Sequence, residues 1–194
     1  MLQIILTPND KYSLAESAQM AVEAGAMWLQ LSLPDMSDEM IREEVRDIVT
    51  LCRESGVILT IEDRPDMARE LGLHGVFLHT GKASPVSVRE ELGPEAIIGT
   101  EIGSADAALS MARADIDYVA MSPETQNCAP VIADIRSAGC EIPVVAYAPR
   151  TSLFDEETDA VMAQGFSGIC GGARIFAEDG DPVVKIESVL RHLS

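Results

Sequence analysis

Glu62, Asp63 and Arg64 follow directly on the apolar run 57–61, and His79, Thr80, Gly81 and Lys82 close the apolar run 75–78. Adjacent carboxylates supply the hard oxygen ligands that Mg2+ takes from protein, usually one or two at a time. Asp63 is equally well placed to cap a helix opening at Arg64-Pro65. An imidazole at a strand end, as His79 is, can act as a general base or donate to a phosphate. Gly171, Gly172 and Ala173 follow the apolar pair Ile169-Cys170 and either offer backbone N–H groups to a phosphate or form a plain turn. Lys11, Arg64, Lys82, Arg150 and Arg174 sit in comparable positions, where they make a cationic mouth if they converge and ordinary solvated loop charges if they do not. His74 and His192 precede a strand and end the chain, and Cys170 has the setting of a buried strand thiol rather than a nucleophile.

Those residues can work together only if the ends of many strands meet. Apolar runs near residues 2–7, 27–33, 57–61, 75–78, 96–102, 118–121, 143–148 and 167–170 read as strands, each followed by a helical segment. Start signals are plain: Ser13 with Glu16 as a capping box, Ser37 before two acids, Ser84-Pro85, Ser104 and Asp181-Pro182. The segment from 37 to 56 reads as one helix with Ile41, Val45, Ile48, Val49 and Cys52 on its apolar face, and acidic residues 155–157 open another. Glycines at 25, 56, 72, 93, 139 and 165 stop helices just before strands, and only the step at Ala114-Asp115 lacks one. Eight such units without a polar linker predict a single domain over residues 1–194, a (β/α)8 TIM barrel close to the minimal size. The rival, an open doubly wound sheet, lacks a GxGxxG after its first strand.

In a barrel the chemistry sits at the carboxyl ends of the strands. That rule selects Asn9, Asp10 and Lys11; Gln30 and Ser32; Glu62 to Arg64; His79 to Lys82; Glu101; Ser122 and Glu124; Tyr147 and Arg150; and Gly171 to Arg174.

A formal charge of −18, with 32 acids against 14 Lys and Arg, excludes nucleic acid and anionic membranes as partners. Four cysteines without CxxC spacing suit a reduced cytoplasm, and no basic n-region or membrane-length apolar run is present. A homodimer is compatible with the sequence.

In order, Ala24-Gly25-Ala26 with Leu29-Gln30-Leu31, then the run Leu59-Thr60-Ile61-Glu62-Asp63-Arg64-Pro65-Asp66-Met67-Ala68, resemble the thiamine phosphate synthase and thiazole tautomerase (TenI) family. The resemblance continues through Gly75-Val76-Phe77-Leu78, Leu92-Gly93-Pro94-Glu95, Asp117-Tyr118-Val119, Ser122-Pro123, Ile142-Pro143-Val144 and Gly165-Phe166-Ser167-Gly168-Ile169, nearly the whole chain. It implies the same barrel and, for synthase members, Mg2+-dependent joining of a pyrimidine diphosphate to a thiazole phosphate. On the family pattern Gln30 and the metal aspartate, Asp63, carry over. The departures lie where diphosphate would sit. Ser32 and Pro34 stand in place of two cations, Glu62 in place of a pyrimidine-binding amide, and Lys82 in place of the second metal aspartate. Tyr147-Ala148-Pro149-Arg150 replaces a glycine pair, removing a donor and narrowing the approach to phosphate. Diphosphate departure depends on cations aimed at developing negative charge, so this pattern implies a degenerate Mg2+ site and poor synthase turnover.

The expected site is therefore Asp63, His79, Lys82 and Glu101 for catalysis, with Asp63 also the metal ligand. Gln30, Glu62, Arg64, Ser122 and Arg150 would contact the substrate, and Gly171, Gly172 and Ala173 its phosphate. Three functions follow: an altered enzyme of thiamine biosynthesis, a silent member that binds a small phosphorylated ligand or a protein, and a tautomerase working through His79 or Glu101.

Overall fold

Eight parallel strands close on themselves in sequence order, β1 (Leu2–Leu6), β2 (Trp28–Leu31), β3 (Ile58–Glu62), β4 (Gly75–Leu78), β5 (Ile97–Glu101), β6 (Tyr118–Met121), β7 (Val144–Ala148) and β8 (Gly168–Gly171), with β8 pairing back to β1. The computed structural model of the chain describes residues 1–123, 127–150 and 155–193. Glu124, one of the candidate rim residues, lies outside them. Between the strands run α1 (Leu14–Glu23), α2 (Asp38–Glu44), α3 (Arg46–Ser55), α4 (Pro65–Leu71), α5 (Pro85–Leu92), α6 (Ala105–Arg113), α7 (Ala129–Ser137) and α8 (Asp155–Met162), and α9 (Pro182–His192) ends the chain. This is the (β/α)8 barrel that the alternation of apolar runs and helix signals predicts. No described helix is long and apolar enough to cross a membrane.

The caps behave as their chemistry requires. Ser13 accepts from the Glu16 N–H while Glu16 reaches back to the Ser13 N–H at 2.8 Å, and Ser37, Ser84 and Ser104 each accept from the third residue of their helix. Where no glycine stops the helix before β6, Asp115 takes the left-handed conformation itself, at φ 58°. Two local expectations are corrected. The segment from Ser37 to Gly56 is not one helix: Val45, at φ −91° and ψ −12°, ends α2 and begins α3, so one apolar face bends around the barrel. Asp63 does not cap α4, whose cap position is Arg64, and the Arg64 side chain makes no capping hydrogen bond to the helix.

Because successive strand residues point to opposite faces, one set packs outward and the other fills the lumen. Ile4, Leu6, Leu29, Leu31, Leu59, Ile61, Val76 and Leu78 are buried outward against the helices. Ile5, Trp28, Phe77, Tyr118, Val145 and Cys170 fill the inside. There the rings form a ladder: Trp28 meets Tyr118 edge-on at 5.5 Å, Tyr118 stacks on Phe77 at 6.1 Å, and Phe77 stacks on Tyr147 at 5.1 Å. Gly99 makes this possible, since a Cβ at that position would lie inside the Tyr118 ring. The same inward parity delivers Gln30, Glu62, His79, Glu101 and Tyr147 to the upper end of the lumen.

Candidate functional site

Glu62 is the last residue of β3 and points into the barrel, where its side chain is only 8% exposed. A carboxylate so placed is costly unless its lone pairs are occupied. Here four donors reach it. Gln30 Nε2 donates to Oε1 at 2.8 Å and the Tyr147 hydroxyl to the same oxygen at 3.0 Å, while Ser32 Oγ donates to Oε2 at 2.6 Å and His79 Nε2 lies 3.4 Å from it. Two oxygens offer about four acceptor directions, so the carboxylate is saturated.

His79 follows β4 and stands at the centre. Its Nε2 faces Glu62 and, at 3.5 Å, the Tyr147 oxygen, and its Nδ1 faces Glu101 Oε2 at 3.7 Å. The ring packs edge-on against Phe77 at 5.0 Å and Tyr147 at 5.1 Å. The hydrogen bond to Glu62 raises the His79 pKa; burial opposes this, and the charges of Glu62, Asp63 and Glu101 add to it. Burial pushes the Glu62 carboxyl up, but the hydrogen bonds from His79, Ser32 and Gln30 outweigh it and leave the group below its ordinary value. Burial and the neighbouring Glu62 charge drive the Tyr147 phenol far upward, so it remains a hydroxyl and a donor. An imidazole held between two carboxylates and a phenol can move protons. It is not arranged to anchor a polyanion.

Asp63 continues the turn with φ 53°, a left-handed backbone that a β-carbon ordinarily disfavours and that Asp tolerates better than most. Its own N–H reaches the Phe77 carbonyl at 2.9 Å and its Oδ1 accepts from the His79 N–H at 2.8 Å. Asp63 therefore ties the end of β3 to the start of the His79 loop. Glu101, at the end of β5, also accepts from the Thr80 N–H at 3.3 Å.

These groups open on a cleft of about 530 Å³ whose described walls are Ser32, Leu33, Pro34, Glu62, Asp63, Arg64, His79, Lys82 and Tyr147. Glu62, Asp63, Arg64, His79 and Lys82, all expected at the site, share this cleft, and Gln30 and Glu101 join through Glu62 and His79. Ser122 is half-buried at the end of β6, Arg150 is exposed after β7, and neither borders the cleft. Gly171 ends β8, and Gly172, at φ 82°, opens a 3-10 turn over Ala173–Phe176, on the same rim but outside the cleft wall. The cationic mouth does not form as a group. Lys11 pairs with Asp179 at 3.0 Å, Arg174 with Glu178 at 3.3 Å, and Arg64 with Asp38 at 2.7 Å. Arg64 also donates to the Met36 carbonyl at 2.7 Å, so its guanidinium braces the cleft wall. Ser32 and Tyr147 were rim positions with no assigned role, yet they supply two of the four donors to Glu62. Their signal was parity: both point inward at the carboxyl end of their strands, Ser32 two residues beyond Gln30 and Tyr147 two beyond Val145. Cys170 is buried in the lumen with its thiol held well above the ordinary range by burial, consistent with an inert strand cysteine. His74 Nδ1 accepts from the Leu59 N–H, and His192 pairs with Asp159 at 2.6 Å, both away from this rim.

Fold and cleft together define the class: a (β/α)8 barrel with a polar, carboxylate-centred cleft at the carboxyl ends of its strands. The family model for thiamine monophosphate synthase matches residues 2–173, and the chain belongs to that family. The thiamine-phosphate synthase of Bacteroides thetaiotaomicron is 29% identical, covering 97% of this chain and 95% of its own, and that of Bacteroides fragilis is 30% identical, covering 97% and 98%. Among solved structures, the thiamine phosphate pyrophosphorylase of Pyrococcus furiosus superposes with a TM-score of 0.81 over 99% of this chain and 94% of that one, at 22% identity.

Proposed function

We propose that this chain binds a small phosphorylated ligand, a phosphorylated thiazole or a close analogue, at the carboxyl rim of its barrel, and that it has lost the Mg2+-dependent diphosphate displacement of its synthase relatives. The saturation of Glu62 carries this reading. A divalent ion needs carboxylate lone pairs, and all those of Glu62 are engaged by Gln30, Tyr147, Ser32 and His79. Asp63 has given one oxygen to the His79 N–H, and Lys82 stands where the family pattern has a second metal carboxylate. With Glu62 saturated, one Asp63 oxygen engaged and the Lys82 cation lining the same cleft, these residues make a poor seat for Mg2+, and no step is routed through it.

Phosphate would be taken by the turn after β8, where Gly171 and Gly172 bring backbone rather than side chains to the rim. The test is direct. Purified protein given the pyrimidine diphosphate, the thiazole phosphate and Mg2+ should release no pyrophosphate above background, while thiazole phosphate alone should raise Tm in a saturable way. Sustained pyrophosphate release would overturn the loss of synthase chemistry. A flat thermal response to every compound of the pathway would overturn ligand binding and leave a protein partner.

A second reading is favoured by one observation, the placement of His79 between Glu62 and Glu101 and beside the Tyr147 hydroxyl. Such a centre suits a proton-transferring tautomerase, with His79 as acid–base group. If thiazole tautomerisation is detected, His79→Ala should abolish it; unchanged activity in that variant would reject the assignment.

A further inference from the structure

At the opposite, amino-terminal end of β3, a second cavity of about 210 Å³ lies between the last turns of α3 and α4 and the residues that lead into β4. Two of its wall groups are donors without acceptors. His74 is gripped by a single backbone position: its N–H donates to the Leu59 carbonyl at 2.9 Å, and its Nδ1 accepts from the Leu59 N–H at 3.1 Å. A backbone N–H can only donate, so Nδ1 holds a lone pair and the ring proton sits on Nε2. No described residue accepts from that Nε2–H. Arg53, exposed in the last turn of α3, enters no ion pair with a described residue, whereas Arg42, Arg64, Arg69, Arg89 and Arg174 each have a carboxylate. The rest of the wall is apolar, with Val49, Leu59, Leu73 and Cys52 lining it. Burial pushes the Cys52 thiol up to about 11, so it adds no negative charge. Gly56, at φ 67°, and Gly72, at φ 63°, end the two helices here with open space where a Cβ would stand, and no side chain from either closes the cavity.

From these groups we propose that the cavity binds a small monocarboxylate with an apolar body, its two oxygens accepting from Arg53 and from the His74 Nε2–H and its hydrocarbon part resting on Val49, Leu59 and Leu73. A carboxylate answers two unused donors with two acceptors, and a charge-assisted bond to guanidinium is the stronger of the pair. The carbonyl ends of α3 and α4 and the chain's charge of −18 oppose further negative charge, which selects a monoanion over inorganic phosphate. About 210 Å³ suits an acid well below drug size. The cavity is separate from the carboxyl rim, since β3 runs from one to the other, and its occupancy does not depend on what the rim holds.

The test titrates the intact chain with sodium isobutyrate, with isobutyramide, which has the same shape and no charge, and with inorganic phosphate, each followed by amide NMR at constant pH and ionic strength. Isobutyrate should shift the amides of Gly56, Gly72, Leu73 and His74 saturably, with isobutyramide about tenfold weaker and phosphate without effect there. Arg53→Gln should weaken isobutyrate about tenfold, the loss of one charge-assisted hydrogen bond. Arg113→Gln, at an exposed position on α6, should leave it unchanged, which separates the cavity from general attraction to surface cations. Ring-nitrogen NMR of His74 should place its proton on Nε2. A proton on Nδ1 would remove the donor and overturn the site. So would isobutyramide or phosphate matching isobutyrate, binding indifferent to Arg53→Gln, or no saturable shift at those four amides.

Discussion

The lumen of this barrel contains two sets of buried polar groups that meet the same problem in opposite ways. At the rim, Glu62 is surrounded by donors from three other strand ends: Gln30 and Ser32 from β2, His79 from β4 and Tyr147 from β7. Deeper in, the side-chain amide of Gln3 and the hydroxyl of Tyr118 are buried without a hydrogen bond of good geometry, although the Gln3 amide lies near enough to the phenol to lower its pKa against burial. The rim set is held by directed hydrogen bonds around a charge. The lower set is held by packing, with Tyr118 fixed between Trp28 and Phe77 and its phenol pushed well up by burial. Polar accuracy is concentrated where the cleft opens, and the floor relies on ring contacts that leave hydrogen bonds unmade.

The sharpest way to break this contrast is Glu62→Leu. Removing the charge strands Gln30, Ser32, Tyr147 and His79 together, and a buried charge network that loses one partner typically costs about 3–5 kcal/mol. Urea unfolding should show a loss of that size; a cost under about 1 kcal/mol would mean that the donors find water or one another, and that the rim is no better organised than the floor. Next comes Gly99→Ala, which tests packing below. The new Cβ would collide with the Tyr118 ring, which is buried and packed between Trp28 and Phe77, so a loss of about 1–3 kcal/mol is expected in the same assay. Near-wild-type stability would show that the ring ladder yields easily.

How much of this was legible beforehand follows the same division. The barrel was readable because each of its signals is local: apolar runs of strand length, Ser13 with Glu16, Ser84 before Pro85, and glycines that end helices. The helix break at Val45 was not, because a single β-branched valine lowers helix propensity only slightly and sits here on the apolar face. Within the site, position at the carboxyl ends of the strands picks out Glu62, Asp63, His79 and Lys82. Sequence spacing could not show that the Tyr147 hydroxyl reaches Glu62 across 85 residues, since that depends on barrel closure. Nor could it show that Arg64 turns to Asp38 and backbone carbonyls, which removes a cation from the expected mouth. Asp63 is the most instructive case. The helix-start pattern around it was sound, but the backbone enters a left-handed turn there and its carboxylate serves the neighbouring loop instead.

A shallower effect should appear in the pH dependence of stability. The folded-state pKa of Glu62 is lowered, so its contribution is complete above the unfolded value near ~4.3 and is lost as pH falls through the folded value. That of His79 is raised, so its contribution is complete below ~6.5 and is lost as pH rises through the folded value. The two overlap between roughly pH 4.5 and 6.5. The stability difference between wild type and His79→Gln, from urea midpoints, should therefore be greatest in that window and shrink on both sides. A difference that grows steadily toward pH 9 would show that His79 is held neutral, and the rim would lose its ion pair.

The smallest change expected is at the floor. Gln3→Leu replaces an amide that makes no hydrogen bond of good geometry with an apolar group of similar size, beside Cys170 on β8 and close under the ring ladder. Exchanging an unsatisfied buried polar group for a matched apolar one is typically neutral or stabilising, here by up to about 1 kcal/mol, whereas the chemically similar loss at Glu62 is severe. The opposite signs are the point, because Glu62 is a charge met by donors whereas Gln3 is a neutral amide without good hydrogen bonds. If Gln3→Leu instead costs about 2 kcal/mol, the amide is bonded in solution, and Tyr118, the other unpartnered group of the floor, is the partner to examine. Tyr118→Phe in both backgrounds would then decide it. A coupling of about 1 kcal/mol between the two changes identifies a Gln3–Tyr118 hydrogen bond, and additive effects leave the floor as packing alone.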